Sequence, residues 1–231
     1  MTERQAVRMR AVSCGVLSVK VAVVPVTAYQ QNCSVLLCEH TGEAAVIDPG
    51  GDLDQIREQI ERLQGRLSLV LLTHGHLDHC AAARQLATVA QAPLWGPHEA
   101  DRFWLEQLPQ LCDMMNFPPA EAFVPDRWLV HGESVQFGEQ VLQVIHAPGH
   151  TPGHLVFYHA GERLAFVGDV LFQGSVGRTD FPQGDFDTLI HSIRERLFPL
   201  GDDVTFVPGH GPLSTFGHER ETNPFVSGRW R

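Results

Sequence analysis

Residues 73–79 read Thr-His-Gly-His-Leu-Asp-His, so three imidazoles and one carboxylate occupy the six positions 74–79. A protein core would have to desolvate these groups at a cost of several kcal/mol if nothing bound them. A metal ion removes that cost, because imidazole and carboxylate are its common protein ligands. The stretch follows a continuous apolar run over 67–72, which is typical of a strand buried on both faces. We therefore predict a metal site at the end of a buried strand.

Three later stretches repeat this pattern of a strand end, a glycine turn and a metal-ligating side chain. They are Pro-Gly-His-Thr-Pro-Gly-His at 148–154, Phe-Val-Gly-Asp at 166–169 and Val-Pro-Gly-His-Gly at 207–211. A single histidine at such a place is usually structural, but loops at strand ends often converge on one functional site. Four such clusters in one chain favour a shared metal centre. His146 and His154 flank the histidine at 150, and we expect them either to support the ligands from behind or to be plainly structural, rather than to contact the metal.

The remaining sequence predicts sheets covered by helices. Apolar and β-branched runs predict strands at 19–26, 33–38, 44–47, 67–72, 140–145, 154–158, 164–167 and 204–207. Apolar residues at helical spacing predict helices over 52–65 and 186–197. The proline-rich segment 108–128 is predicted to be an irregular surface excursion. Strands and helices mixed in both halves favour an α/β fold with helices on the outer faces of the sheets.

Composition narrows the class of protein. The 231 residues suit one domain, and we predict a loose N-terminal extension over 1–18 followed by a hydrolase domain over 19–231. The formal net charge of −10 disfavours a nucleic-acid partner, and the apolar stretch near the N terminus is too short and interrupted for a membrane span or a secretory signal. Five cysteines without a C-x-x-C pair indicate a reducing compartment, so we expect a cytoplasmic protein.

The combined motif resembles that of the metallo-β-lactamase superfamily. Its hallmark H-x-H-x-D-H and its later ligands match His74, His76, Asp78, His79, His150, Asp169 and His210. The resemblance implies an α/β four-layer αββα sandwich, in which two mixed sheets are covered by helices. It also implies two divalent metal ions: the first held by His74, His76 and His150, the second by Asp78, His79 and His210, with Asp169 as the bridge. Zinc is the expected metal, and the same ligands admit iron or manganese.

Such a centre suits hydrolysis. Two divalent cations carry four positive charges, while Asp78, Asp169 and a bridging hydroxide contribute three negative ones, so one positive charge remains to favour an anionic transition state. Metal ions about 3.5–4 Å apart also lower the pKa of a shared water to about 7 and polarise the attacked carbonyl. Asp78 and Asp169 are therefore the predicted catalytic carboxylates.

Within the superfamily, the chain resembles the short bacterial type II glyoxalases, which are hydroxyacylglutathione hydrolases. The resemblance lies in residues 25–34, 168–182, 208–216 and 222–225. It implies that S-D-lactoylglutathione is split by water to D-lactate and glutathione, a step of methylglyoxal detoxification. Arg178 aligns with a basic, glutathione-contacting position of longer members and is the predicted substrate-binding residue. The alternatives are a persulfide dioxygenase of the same fold with a single iron, and a non-catalytic metal-binding module.

Overall fold

The strands of the first half of the chain form one mixed sheet of five strands. The computed structural model describes residues 18–227, so the predicted extension lies, except for Ser18, outside the described residues. The sheet has the order β1 (Val19–Val26), β2 (Gln31–Cys38), β3 (Glu43–Ile47), β4 (Arg66–Leu71) and β5 (Leu94–Trp95). The pairings of β1 with β2 and of β2 with β3 are antiparallel, and the pairings of β3 with β4 and of β4 with β5 are parallel.

The second half forms a six-stranded mixed sheet and a short hairpin. Its strands are β6 (Ser134–Phe137), β7 (Gln140–His146), β8 (Leu155–His159), β9 (Leu164–Gly168), β12 (Thr205–Pro208) and β13 (Ser214–Thr215), in the order β13-β12-β9-β8-β7-β6. Only the pairing of β12 with β9 is parallel among these described strands. The hairpin between β9 and β12 consists of β10 (Leu171–Phe172) and β11 (Ser175–Val176).

Helices cover the outer face of each sheet. They are α1 (Leu53–Arg62), α2 (Leu77–Cys80), α3 (Ala83–Ala90), α4 (Arg102–Glu106), α5 (Leu108–Met114), α6 (Phe186–Ser192) and α7 (Phe216–Thr222). Short 3-10 turns span Glu99–Asp101 and Phe198–Leu200, and a π-helical segment at Ile193–Leu197 continues α6. Within residues 18–227, we find no helix with the length and apolar character that crossing a membrane requires.

Alternation along the strands explains the layering. In β2, Val35 packs in a core with Ile56 of α1, whereas the next residue, Leu36, packs in a core between the sheets with Phe166 of β9. Adjacent residues of a strand point to opposite faces, so one strand contributes to both cores. A third core joins the outer face of the second sheet to α6 through residues such as Leu189. The predicted four-layer αββα sandwich of two mixed sheets is confirmed.

The structure differs from the sequence prediction in the proline-rich segment 108–128. Its first part is helix α5 rather than an irregular excursion, and only the part after α5 is irregular. Pro109 lies in the first turn of α5, where a missing backbone N–H breaks no helical hydrogen bond. Leu108 and Cys112, four residues apart, bury one face of this helix. The prediction was wrong there because it counted prolines without considering their place in the helix.

Candidate metal centre

The strands bring the predicted ligands to one edge of the sandwich. His74 lies in the connection between β4 and α2, and Asp169 follows β9 directly. His210 comes just after β12, which runs parallel to β9. Parallel neighbours end at the same edge of a sheet, so Asp169 and His210 emerge side by side. His150 reaches the same edge from the turn between β7 and β8.

The three histidines predicted to hold the first ion converge on one point. His76 Nδ1 lies 3.2 Å from His74 Nε2 and 2.9 Å from His150 Nε2. Tetrahedral zinc with bonds of about 2.0–2.1 Å would hold neighbouring nitrogens about 3.3 Å apart, so this spacing fits one ion. Burial lowers the pKa of His76 to about 3 and also keeps the pKa values of His74 and His150 below their usual range. At neutral pH these imidazoles are therefore uncharged, with lone pairs free for a metal.

The residues predicted to hold the second ion form an adjacent group. Asp78 Oδ2 lies 3.1 Å from His210 Nε2 and 3.8 Å from His79 Nε2. Burial alone would lower the pKa of His79, but the neighbouring carboxylates outweigh it and raise that pKa well above its usual range. The pKa of His210 is raised in the same way, mainly through its hydrogen bond with Asp78. Without metal, these imidazoles therefore retain protons that balance the carboxylates.

Asp169 faces both groups. Its Oδ2 lies 3.6 Å from His150 Nε2 in the first group and 3.7 Å from His210 Nε2 in the second. Its Oδ1 lies 3.3 Å from His79 Nε2. Burial alone would raise the pKa of Asp169, but the surrounding imidazoles, His79 above all, hold it well below the usual range. The ionised carboxylate therefore stands at the place that a bridging ligand would occupy.

Three buried atoms of the predicted ligands make no hydrogen bond in the described structure, and two of them lie beside each other. They are His76 Nε2 and the neighbouring pair His79 Nε2 and Asp169 Oδ1, which are 3.3 Å apart without the alignment of a hydrogen bond. Buried polar atoms nearly always have a partner, so such orphans need an explanation. A divalent ion bound to His79 Nε2 and to Asp169 Oδ1 would satisfy both of these atoms at once. Five imidazoles and two carboxylates are also a donor set that divalent metals prefer, so the residues present fit two ions.

Oxygen acceptors orient four of the five imidazoles through Nδ1. These contacts pair His74 with Thr73 Oγ1 (3.0 Å), His79 with Asp48 Oδ2 (2.9 Å), His150 with the Arg178 carbonyl (2.7 Å) and His210 with the Tyr29 carbonyl (3.2 Å). An Nδ1–H that donates to oxygen leaves the Nε2 lone pair free for metal. The His76 ring has the opposite orientation, because its Nδ1 rather than its Nε2 faces the other ligands.

Asp48 is a functional residue that the sequence analysis missed. It directly follows β3 and is buried, and besides the His79 ring it accepts hydrogen bonds from the backbone N–H of Thr73 (2.7 Å) and from Thr73 Oγ1 (2.6 Å). It therefore fixes two ligand imidazoles, His79 directly and His74 through Thr73. In the sequence, Asp48 follows the predicted strand at 44–47 and carries no motif that predicts a role at the site. The signal that could have indicated its role is its place directly after β3. Because β3 runs parallel to β4, Asp48 lies at the same edge of the sheet as the residues that follow β4.

His154 lies behind the predicted ligands, whereas His146 contacts none of them in the described structure. The His154 ring stacks on His74 with centroids 4.6 Å apart, and its Nε2 accepts the backbone N–H of Asp169 at 3.0 Å. His146 instead donates to the Pro152 carbonyl at 2.8 Å. Cys80, next to the second group, is a packed thiol, and burial raises its pKa.

Arg178 lies at the rim of the centre. Its exposed guanidinium makes two hydrogen bonds to Asp180, at 2.9 and 2.8 Å, and its Cζ lies 4.5 Å from the centroid of the Phe181 ring. Phe181 in turn packs its ring 4.8 Å from that of His76. The Arg178 carbonyl also accepts the hydrogen bond from His150 Nδ1. The segment from Arg178 to Phe181 is therefore fixed relative to the first ligand group.

Comparisons with known proteins identify the family of the chain. The family model described as the metallo-beta-lactamase superfamily matches residues 26–210, a range that contains all seven predicted ligands. The chain is 46% identical over 210 residues to hydroxyacylglutathione hydrolase GloC of Haemophilus influenzae, covering 90% of this chain and 99% of that relative. Among solved structures, it is similar to the BLEG-1 B3 metallo-beta-lactamase, with a TM-score of 0.83, 36% identity and coverage of 90% and 100%. It is also similar to TTHA1623 in a di-iron-bound form, with a TM-score of 0.80, 33% identity and coverage of 89% and 100%.

The αββα fold and the histidine-carboxylate centre at its edge define the class of metallo-hydrolases. The chain belongs to the metallo-beta-lactamase superfamily and is a metal-binding enzyme of that class.

Proposed function

We propose that this enzyme hydrolyses glutathione thioesters, converting S-D-lactoylglutathione and water to D-lactate and glutathione. The observation that carries the proposal is the pair of adjacent ligand groups facing one buried carboxylate, Asp169. The 46% identity to a hydroxyacylglutathione hydrolase supports the substrate class. We further propose that the metal is zinc and that glutathione thioester is the small-molecule partner.

In this proposal, His74, His76 and His150 hold one ion, Asp78, His79 and His210 hold the other, and Asp169 holds both. Two bound divalent ions would supply a hydroxide nucleophile near neutral pH and polarise the thioester carbonyl. The chain's own contribution is to orient the imidazoles through their Nδ1 hydrogen bonds and to place only two carboxylates, Asp78 and Asp169, among the seven ligands, while the Asp48 carboxylate lies behind the His79 ring. The site thus keeps a net positive charge where the anionic transition state forms.

The leaving group explains why a thioester suits this centre. A thiolate whose conjugate acid has a pKa of about 8.5 departs without being protonated, whereas an amine must gain a proton as it leaves. A thioester therefore requires only a nucleophile and a cationic site. Phe181 beside His76 shields one side of the first group from water, which strengthens the electrostatic interactions there.

A paired assay tests the proposal. The zinc-loaded and the iron(II)-loaded proteins, each with its metal content measured on the same sample, are given S-D-lactoylglutathione while thiol release is followed, and glutathione persulfide while oxygen is followed with an electrode. We expect thiol release without oxygen uptake. Oxygen consumption with persulfide and no thioester cleavage would favour the single-iron dioxygenase instead. Stoichiometric metal without turnover of thioesters, esters or β-lactams would favour the non-catalytic module.

Arg178→Ala is expected to raise KM for glutathione thioesters about five-fold and to leave KM for a small uncharged thioester unchanged. The rim position lets the guanidinium pair with a carboxylate of the tripeptide, and an exposed pair of this kind contributes only weakly because water screens it. Steady-state kinetics with both substrates provide the measurement. Arg163→Ala is the matched control, because this arginine makes the same kind of pair with Asp203 at the opposite end of β9. Equal changes for both substrates would remove Arg178 from substrate binding.

A further inference from the structure

A buried carboxylate joins the loop of His74 and His76 to the loop of His150. Asp101 ends the 3-10 turn before α4, and its side chain is completely buried. Its Oδ2 accepts hydrogen bonds from the Gly75 backbone N–H (2.9 Å) and from Thr151 Oγ1 (2.8 Å). Its Oδ1 accepts one from the Gly153 backbone N–H at 2.6 Å. Gly75 separates the two histidines of the first loop, and Thr151 directly follows His150.

Asp101 is costly to bury. No basic side chain forms an ion pair with it among residues 18–227. Burial raises the pKa of this carboxyl to about 6, even though its three hydrogen bonds act in the opposite direction. A buried carboxylate without a counter-ion destabilises a fold by several kcal/mol unless donors satisfy it. Packing alone would thus favour an apolar residue at this position, and the carboxylate needs another reason to be there.

The backbone is shaped to bring Asp101 against both loops. A Cβ atom at Gly153 would lie 2.6 Å from Asp101 Oδ1, and a Cβ atom at Gly75 would lie 2.7 Å from the Cβ of Trp104. Both distances are far below van der Waals contact, so only glycine permits this approach. Trp104 then packs its ring against the edge of the His76 ring, with centroids 4.6 Å apart. The segment from Asp101 to Trp104 therefore touches both ligand loops.

We propose that Asp101 is a positioning residue for the three-histidine group. By tying Gly75 to Thr151 and Gly153, it sets the distance between His74 and His76 on one side and His150 on the other. The inference rests on the metal centre of the proposed function. It concerns only the first group, because the second is oriented by other acceptors, Asp48 at His79 and the Tyr29 carbonyl at His210.

The hydrogen-bond pattern requires a carboxylate rather than an amide. Asn at 101 would keep the size of the side chain but replace one acceptor oxygen by an NH2 group. In one orientation that NH2 would face the Gly153 N–H, and in the other the Gly75 N–H, so one donor loses its acceptor either way. Asp101→Asn is therefore expected to lose part of the hydrogen bonding that joins the two loops, whereas Asp101→Ala loses all of it.

Cobalt(II) binding to the metal-free protein tests the inference without reference to turnover. In a His210→Ala background, which weakens the second group, we expect Asp101→Ala to lower the cobalt affinity of the first group about 10- to 100-fold, the usual effect of losing an outer hydrogen-bond partner. Asp101→Asn is expected to fall in between. Equilibrium dialysis measures the affinity, and the cobalt absorption bands report the geometry. Asp126→Ala is the matched control, because Asp126 also accepts a backbone N–H, that of Leu94 at 2.7 Å, but lies outside both ligand loops.

The outcomes separate this inference from the proposed function. Unchanged cobalt affinity and spectrum in folded Asp101→Asn and Asp101→Ala would overturn the positioning role. In the presence of intact His210, an equal loss of affinity at both groups would also overturn it, since that result indicates a general folding defect. If Asp101→Ala does not fold, Asp101→Asn carries the same comparison. A wild-type protein that binds two cobalt ions yet leaves thioesters uncleaved would contradict only the proposed function.

Discussion

Asp169→Ala is expected to lose metal from both ligand groups and nearly all turnover. In the wild type, this carboxylate faces His150 in one group and His79 and His210 in the other. Its removal deletes the one shared ligand and also leaves two divalent ions with a single carboxylate, Asp78, so mutual repulsion of the ions rises. The loss in kcat should exceed the roughly 100-fold that follows removal of a mere outer partner. Elemental analysis and kinetics on the same sample measure both effects.

Two companion variants make the Asp169 result specific. Asp169→Asn keeps the size of the side chain and one ligating oxygen but removes the charge, so it should retain more metal than Asp169→Ala while remaining slow. Asp203→Ala removes an exposed carboxylate from the opposite end of the second sheet, where Asp203 pairs with Arg163, and should retain both ions and full activity. Two bound ions and normal turnover in Asp169→Ala would refute the bridging assignment and the proposed function with it.

The convergence of the seven predicted ligands could be foreseen because their signal is local. Three imidazoles and a carboxylate within residues 74–79 are improbable for any other role, and each later ligand follows a recognisable strand and glycine turn. Two core elements were predictable in the same way, because β2 contains a run of apolar and β-branched residues and α1 has apolar residues at helical spacing. A short stretch of sequence is enough to predict a role when that role depends on residues that are close together in the chain.

The supporting carboxylates were not predictable because their partners are distant in sequence. Asp48 contacts Thr73 and His79, which lie 25 and 31 positions away, and Asp101 contacts Gly75 and Gly153, 26 and 52 positions away. A single aspartate beside a turn has many ordinary explanations, such as ending a strand or capping a helix. Only the parallel pairing of β3 with β4, and the docking of the segment before α4 on both ligand loops, place these two residues beside the predicted ligands.

Metal removal is expected to abolish turnover and to lower the melting temperature without unfolding the protein at 25 °C. An ion present at 100 times its Kd stabilises the native state by about 2.7 kcal/mol, so two ions contribute about 5 kcal/mol. For a protein of this size, about 1 kcal/mol shifts Tm by roughly 2–4 °C, which predicts a decrease on the order of 10 °C. Calorimetry before and after chelation, with residual metal measured, provides the test.

The metal-free protein should remain folded because its buried charges partly compensate one another. Asp169 and Asp78 raise the pKa of His79, so the carboxylates and a protonated imidazole neutralise part of the charge that the ions would otherwise balance. Chelation should therefore be reversible, and zinc should restore both Tm and activity. In Asp169→Ala, which is expected to hold little metal, the chelator should shift Tm only slightly. A wild-type Tm that stays constant after complete metal loss would mean that bound ions do not stabilise the native state. That result would contradict the prediction that the native protein holds two ions.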